Sequence, residues 1–143
     1  MTVPRSRRER NIFVDTSAFF AFLASDELQH AAALATFRRA GRDRSGLYTT
    51  NFVVAETHAL ALARIGRAQA TAFLASLADA AIDVIRATAE DEEAAKEIVF
   101  RYTDKSFSLT DAISFAVMER LGLKRAFSFD RDFVQYGFLP AYP

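Results

Sequence analysis

Four acidic residues, Asp15, Glu56, Asp111 and Asp130, stand where the local pattern calls for an apolar or small residue. Asp15 ends the run Asn11-Ile12-Phe13-Val14, which reads as a buried parallel strand opening into a loop. An acid at that exit is badly placed for stability and well placed for chemistry, because ligand sites in open α/β sheets lie beyond the carboxyl ends of the strands. Glu56 falls on a helix face with Phe52, Val53, Ala59, Leu60 and Ala63, where an acid is costly unless it is paired or meets a cation; Arg64 is the competing partner. Asp111 follows Thr110 at a helix start, so it could be an ordinary N-cap. Its neighbours Leu109, Ala112, Ile113, Phe115 and Ala116 instead suggest a central helix whose start looks into the sheet's C-terminal crevice. Asp130 and Asp132 follow the strand Arg125 to Ser128. Asp130, nearer the strand exit, is the preferred fourth acid, with Asp132 a secondary candidate that could cap the helix after it.

Several carboxylates cannot converge cheaply, because like charges at short range disfavour ionisation. A hard divalent cation removes the conflict. Mg²⁺ takes octahedral oxygen ligands and keeps several waters, and Mn²⁺ accepts the same set. Such an ion lowers the pKa of bound water and neutralises charge developing on a phosphoryl group, so acids, cation and phosphodiester form one coherent unit. Competing chemistries are weaker. His30 and His58 are too few and too far apart for a zinc motif, and Ser17 lacks a nucleophile elbow. Thr16 and Ser17 read as a helix cap that also orients Asp15. No glycine-rich phosphate cradle is present, and a two-carboxylate glycosidase would leave two of the acids unexplained. Tyr102, Phe107, Phe115 and Phe129 read as core and not as base-stacking platforms.

The elements that must hold these acids alternate. Strands are expected at 11–15, 47–49, 82–85, 125–128 and, at an edge, 137–139. Helices are expected from Thr16 to about Ala24, His30 to Ala40 closing at Gly41, Asn51 to Ile65, Ala68 to Ala78, from Thr88 onward with an acidic first turn, and Leu109 to Leu121. The order argues a three-layer α/β/α domain with a central parallel sheet of four to five strands. With 143 residues, 51% of them hydrophobic, and 14 Phe, the chain fits one such domain with a real core. It has no Cys, which excludes thiolate chemistry and agrees with a reducing cytoplasm, where we place it. No apolar stretch reaches the ~18–20 residues of a membrane span. Lys+Arg and Asp+Glu balance at 18 each, so only local clusters could favour nucleic acid: the extension 1–10 with Arg7 and Arg8, and Arg38, Arg39, Arg42 and Arg44.

Phe13-Val14-Asp15-Thr16-Ser17, Asn51-Phe52-Val53-Val54-Ala55-Glu56, Ser108-Leu109-Thr110-Asp111-Ala112 and Phe127-Ser128-Phe129-Asp130-Arg131-Asp132-Phe133 occur in an order that resembles the PIN-domain ribonucleases, and among them the VapC-type toxins of toxin–antitoxin pairs. The resemblance implies a PIN domain over 11–143 preceded by a basic extension. It implies an Mg²⁺- or Mn²⁺-dependent endoribonuclease in which Asp15, Glu56, Asp111 and Asp130 hold the metal, supported by Thr16 or Ser17, Thr110 and Asp132. It further implies structured RNA of the translation machinery, tRNA or rRNA, as substrate, a small cognate antitoxin as inhibitor, and a homodimer formed through the second to fourth helices. Two other readings keep the same fold: a PIN nuclease of RNA processing outside toxin biology, and a PIN-like binding module whose acids are structural.

Overall fold

The computed structural model describes residues 9–142. Five short strands form one wholly parallel sheet: β1 (Ile12–Val14), β2 (Leu47–Thr50), β3 (Ile82–Ile85), β4 (Arg125–Phe127) and β5 (Leu139–Pro140), in the order β3-β2-β1-β4-β5. Helices α1 (Thr16–Leu23) and α2 (His30–Arg42) join β1 to β2, and α3 (Asn51–Arg64) and α4 (Arg67–Asp79) join β2 to β3. The chain then returns through α5 (Ala89–Arg101) and α6 (Leu109–Leu121) to β4 on the far side of β1, and α7 (Asp132–Tyr136) leads to β5. Right-handed crossovers place α1 to α4 on one face and α5 to α7 on the other. The direction of winding reverses between β1 and β4, so the crevice beyond those two strands is the topological switch point.

Alternation along the strands feeds both layers. Phe13 stacks on Phe133 of α7 with ring centroids 6.0 Å apart, inside an aromatic cluster that includes Phe107, Phe115 and Tyr136. On the other face Phe37 of α2 meets Phe127 edge-on at 5.0 Å, and Phe19 meets Phe73 at 5.3 Å. The central helix α6 is buried without interruption from Asp111 to Met118, which is why its sequence is apolar nearly all round. Asp91, second acid of the α5 first turn, is buried and accepts two hydrogen bonds from Arg120, tying α5 to α6.

Several boundaries differ from expectation for identifiable reasons. The cap of α1 is Asp15 itself, whose carboxylate accepts from the Ser17 amide at 3.5 Å; Thr16 and Ser17 lie inside the helix. Helix α2 runs through Gly41 to Arg42, and it is Arg44 that takes the left-handed backbone conformation (φ 53°). Ser108 caps α6, with Asp111 as the reciprocal partner in a capping box. Strand β4 stops at Phe127, releasing Ser128 into the crevice, and β5 includes Pro140, whose missing N–H is tolerated at a sheet edge. Among the described residues no helix is long and apolar enough to cross a membrane.

Candidate active site

Asp15 leaves the sheet at the end of β1, held there by its own amide, which donates to the Phe127 carbonyl at 3.0 Å. On the opposite side, the Thr49 hydroxyl of β2 donates to the Val14 carbonyl at 2.8 Å, so the exit of β1 is fixed from both sides. The Asp15 side chain is only 2% exposed. Ser17 and Ser128 hydroxyls both donate to its Oδ2, at 3.1 and 2.9 Å, and among the described residues no hydroxyl donates to Oδ1. The same two serines organise the loop after β4: the Phe129 amide donates to Ser17 Oγ and the Asp130 amide to Ser128 Oγ.

Asp111 approaches from the first turn of α6. Its Oδ2 accepts the Ser108 amide at 3.1 Å while its own amide donates to Ser108 Oγ at 3.0 Å, so the helix cap itself holds this carboxylate at the start of α6. Burial pushes the Asp15 carboxyl up from 3.8 to about 6, with the neighbouring Asp130 charge adding to it. Burial likewise pushes Asp111 up to about 7, and the charges of Asp15 and Asp132 act in the same direction. Asp130 is raised by burial first, then by Asp132 and Glu56. The electrostatic couplings link Asp15, Asp111, Asp130, Asp132 and Glu56 into one anionic field, in which both Asp130 and Asp132 take part.

Glu56 reaches this field differently from the sequence expectation. The buried residues of α3 are Val53, Thr57 and Ala61, whereas Ala59 and Ala63 face outward, so Glu56 sits on the flank of the buried stripe, half-buried. There it lines a cleft with Thr16, Ser17 and Asp130, and Arg64 lines the same cleft without pairing to it. Among the described residues none of the five acids forms an ion pair with Lys or Arg. Thr110 is half-buried in the first turn of α6, and its backbone carbonyl accepts from Ser114 Oγ at 3.0 Å. His30 donates through Nδ1 to the Ala21 carbonyl, a structural role.

The basic clusters lie elsewhere. Arg39 borders a second cleft with Arg10, Ile12 and Arg125, at the opposite end of the sheet, where it stacks on Tyr142 (3.9 Å) and faces Asp43 (3.9 Å). Arg38, Arg42 and Arg44 are exposed on the neighbouring turns. The structure therefore does not bring them to the acids, and Arg7 and Arg8 lie outside the described residues. The sequence reading missed Ser128; a serine directly at the exit of the strand beside β1 was its only signal.

The fit to a divalent cation rests on the donor set. All available side-chain donors are oxygens, two carboxylates carry a cost that a cation would relieve, and the Thr16 hydroxyl is buried beside Asp15 without any hydrogen-bond partner. As the side chains stand, no group of three or more His, Asp or Glu among the described residues closes into a ligand cage. That arrangement suits Mg²⁺ or Mn²⁺ bound through one or two carboxylates and retaining water.

A parallel sheet with this strand order and an acid cluster at its switch point defines a PIN domain, and the PIN-domain model matches residues 12–139: the chain belongs to that family. Within it, the chain is 35% identical over 132 residues to the 23S rRNA-specific endonuclease VapC20 of Mycobacterium tuberculosis, covering 92% of this chain and 98% of that protein. It is 33% identical over 123 residues to a VapC ribonuclease of Archaeoglobus fulgidus, covering 84% of this chain and 77% of the other. The crystal structure of M. tuberculosis VapC20, described as a sarcin-ricin loop cleaving toxin, superposes with a TM-score of 0.84 at 34% identity, over 93% of this chain and all of that one. VapBC2 of Rickettsia felis shares the fold at a TM-score of 0.64 and 10% identity, over 90% of this chain and 95% of that one.

Proposed function

We propose that the protein is a divalent-metal-dependent endoribonuclease toxin that cuts a structured RNA of the translation machinery and is neutralised by a cognate antitoxin. The observation that carries the chemistry is the buried, unpaired Asp15 beside Asp111 at the sheet's switch point, with Asp130, Asp132 and Glu56 extending the anionic field. Asp15, Asp111, Glu56 and Asp130 would hold Mg²⁺ or Mn²⁺, with Asp132 supporting from the α7 side. When bound, the ion supplies charge neutralisation at the phosphoryl group and a more acidic water. The chain's own part is orientation. Ser17 and Ser128 fix the Asp15 carboxylate, the capping box fixes Asp111, and the buried Thr16 hydroxyl is a polar group without a partner next to Asp15 in sequence.

Similarity to VapC20, a 23S rRNA-specific endonuclease, favours ribosomal RNA as the substrate class, and the toxin reading carries a cytoplasmic location with it. An apolar cleft of about 300 Å³ between α1, α2 and α4, bordered by Phe22, Phe37 and Leu77, supports a protein partner, antitoxin or second copy. The deciding experiment measures RNA cleavage and thermal melting in EDTA, Mg²⁺ and Mn²⁺ for the parent, Asp15→Asn and Asp111→Asn. Metal-dependent cleavage and stabilisation, both lost in the folded variants, are expected. Cleavage that survives EDTA, or variants of full activity, would reject the reading.

A further inference from the structure

The cleft beside the carboxylates has features that phosphodiester hydrolysis alone does not require. It measures about 330 Å³, within the size range of small-ligand pockets. Phe20, Leu60 and the half-buried Phe129 give it an apolar wall next to Glu56 and Asp130. At its rim stand the exposed side chains of Glu27, Gln29 and Arg64. Arg64 has no acid within ion-pair distance among the described residues, and its guanidinium lies over the Phe20 ring, 6.0 Å from the centroid. The loop carrying Glu27 and Gln29 is fixed by its backbone: the Glu27 amide donates to Ala24 and the His30 amide to Glu27. Those side chains are thus presented on a defined turn while doing nothing for the core.

Charge decides what fits. With Glu56 and Asp130 given to the cation, Glu27 and Arg64 are the charges left over, one of each sign, so the rim has no excess positive charge to hold a second phosphate, whereas a neutral planar ring gains from the apolar wall. RNA offers such rings when a loop base is splayed from its stack, to be held on aromatic side chains and read along its edges. Among the bases, guanine presents two adjacent acceptors, O6 and N7, which match a guanidinium fork, together with ring and exocyclic N–H donors that match a carboxylate. Adenine lacks the acceptor pair, and the pyrimidines lack N7.

We infer that this cleft is a guanine subsite, taking the base of a nucleotide adjacent to the cut bond, with Arg64 donating to O6 and N7, Glu27 accepting from the base N–H groups, and Phe129 against the ring. The inference rests on the nuclease reading and adds a sequence preference to it. The test is cleavage of an RNA hairpin pool with a randomised loop, in Mg²⁺ and in Mn²⁺, by the parent, Arg64→Ala and Glu27→Gln, with the cut ends sequenced. Guanine is expected at one fixed position beside the cut, with enrichment falling about tenfold or more in Arg64→Ala while cutting of other loops continues. Thermal melts should show both variants as stable as the parent, because the altered side chains are exposed. Cutting by the parent without base enrichment, enrichment of another base, or guanine enrichment undiminished in Arg64→Ala would each overturn the subsite. Absence of any cutting by the parent would overturn the nuclease reading and the subsite with it.

Discussion

Ser128 Oγ donates to Asp15 Oδ2 at 2.9 Å, a bond between residues 113 positions apart that locks the exit of β4 to the exit of β1. It stabilises the ionised form of a carboxylate that burial otherwise pushes toward neutrality. Ser128→Ala should therefore keep the fold and lose about 10- to 100-fold in metal affinity or turnover, as loss of a hydrogen bond that orients a ligand does. With its charged form less supported, Asp15 would titrate at higher pH, moving the acid limb of the pH–rate profile upward. Mn²⁺ titration and the pH profile together check this; an unchanged acid limb would separate Asp15 from the rate.

Metal-free protein should become less stable as pH rises from about 4 to 7. Asp15 and Asp111 titrate near 3.8 when unfolded but near 6 and 7 when folded, so in that window the folded state holds more protons. Stability then falls with increasing pH, reaching its full penalty above the folded values. Asp15→Asn abolishes its share and should gain on the order of 1–3 kcal/mol, roughly 3–10 °C in Tm, at about pH 8 in EDTA. Adding Mg²⁺ should stabilise the parent and not the variant. Melting curves across pH would contradict the account if the parent were most stable at the alkaline end without metal.

The fold was legible because its signals are local: apolar runs ended by Asp15 and Ser128, caps at Thr50 and Thr88, and the uninterrupted apolar stretch of α6. Asp15 stood out because it ends an apolar run, and Asp111 because it opens an apolar helix. The environment of Glu56 was not legible, since helical spacing gives a face but not which of two adjacent faces meets the core; α3 turns Val53, Thr57 and Ala61 inward and leaves Ala59 outside. Nor was Ser128, whose value depends on β4 lying beside β1, a fact of topology. The place of Arg39 was hidden for the same reason: its cluster is plain in sequence, but only the topology shows that α2 carries it to the far end of the sheet.

That placement makes a prediction about Arg38, Arg39 and Arg42. Basic side chains remote from the cut can engage only an RNA large enough to reach both ends of the domain. Replacing all three by Ala should leave cleavage of a short hairpin unchanged. For a long structured RNA it should flatten the salt dependence of binding, by nearly one log unit of slope for each phosphate that is no longer neutralised. Binding titrations at several salt concentrations distinguish the cases; a reduced slope with the short hairpin would place these arginines at the cutting site after all.

Asp91 carries a buried charge interaction outside the site. Its carboxylate is 4% exposed, accepts from Arg120 at 3.0 and 2.8 Å, and closes the capping box with Thr88. The Arg120 hydrogen bonds hold its carboxyl below the ordinary range, so its contribution is present above about pH 4 and lost as acid protonates it, opposite in sign to Asp15. Asp91→Ala removes a cap partner and the tie between α5 and α6. The Arg120 head is partly exposed and can be rehydrated, which limits the cost to about 2–3 kcal/mol, or roughly 6–12 °C in Tm. Because α6 carries Asp111, loosening it should lower metal affinity as well, whereas Asp91→Asn, which keeps one acceptor, should recover part of both losses. Chemical denaturation paired with Mn²⁺ titration measures the two together, and a stability loss with metal affinity intact would show that α6 is held in register by its burial alone.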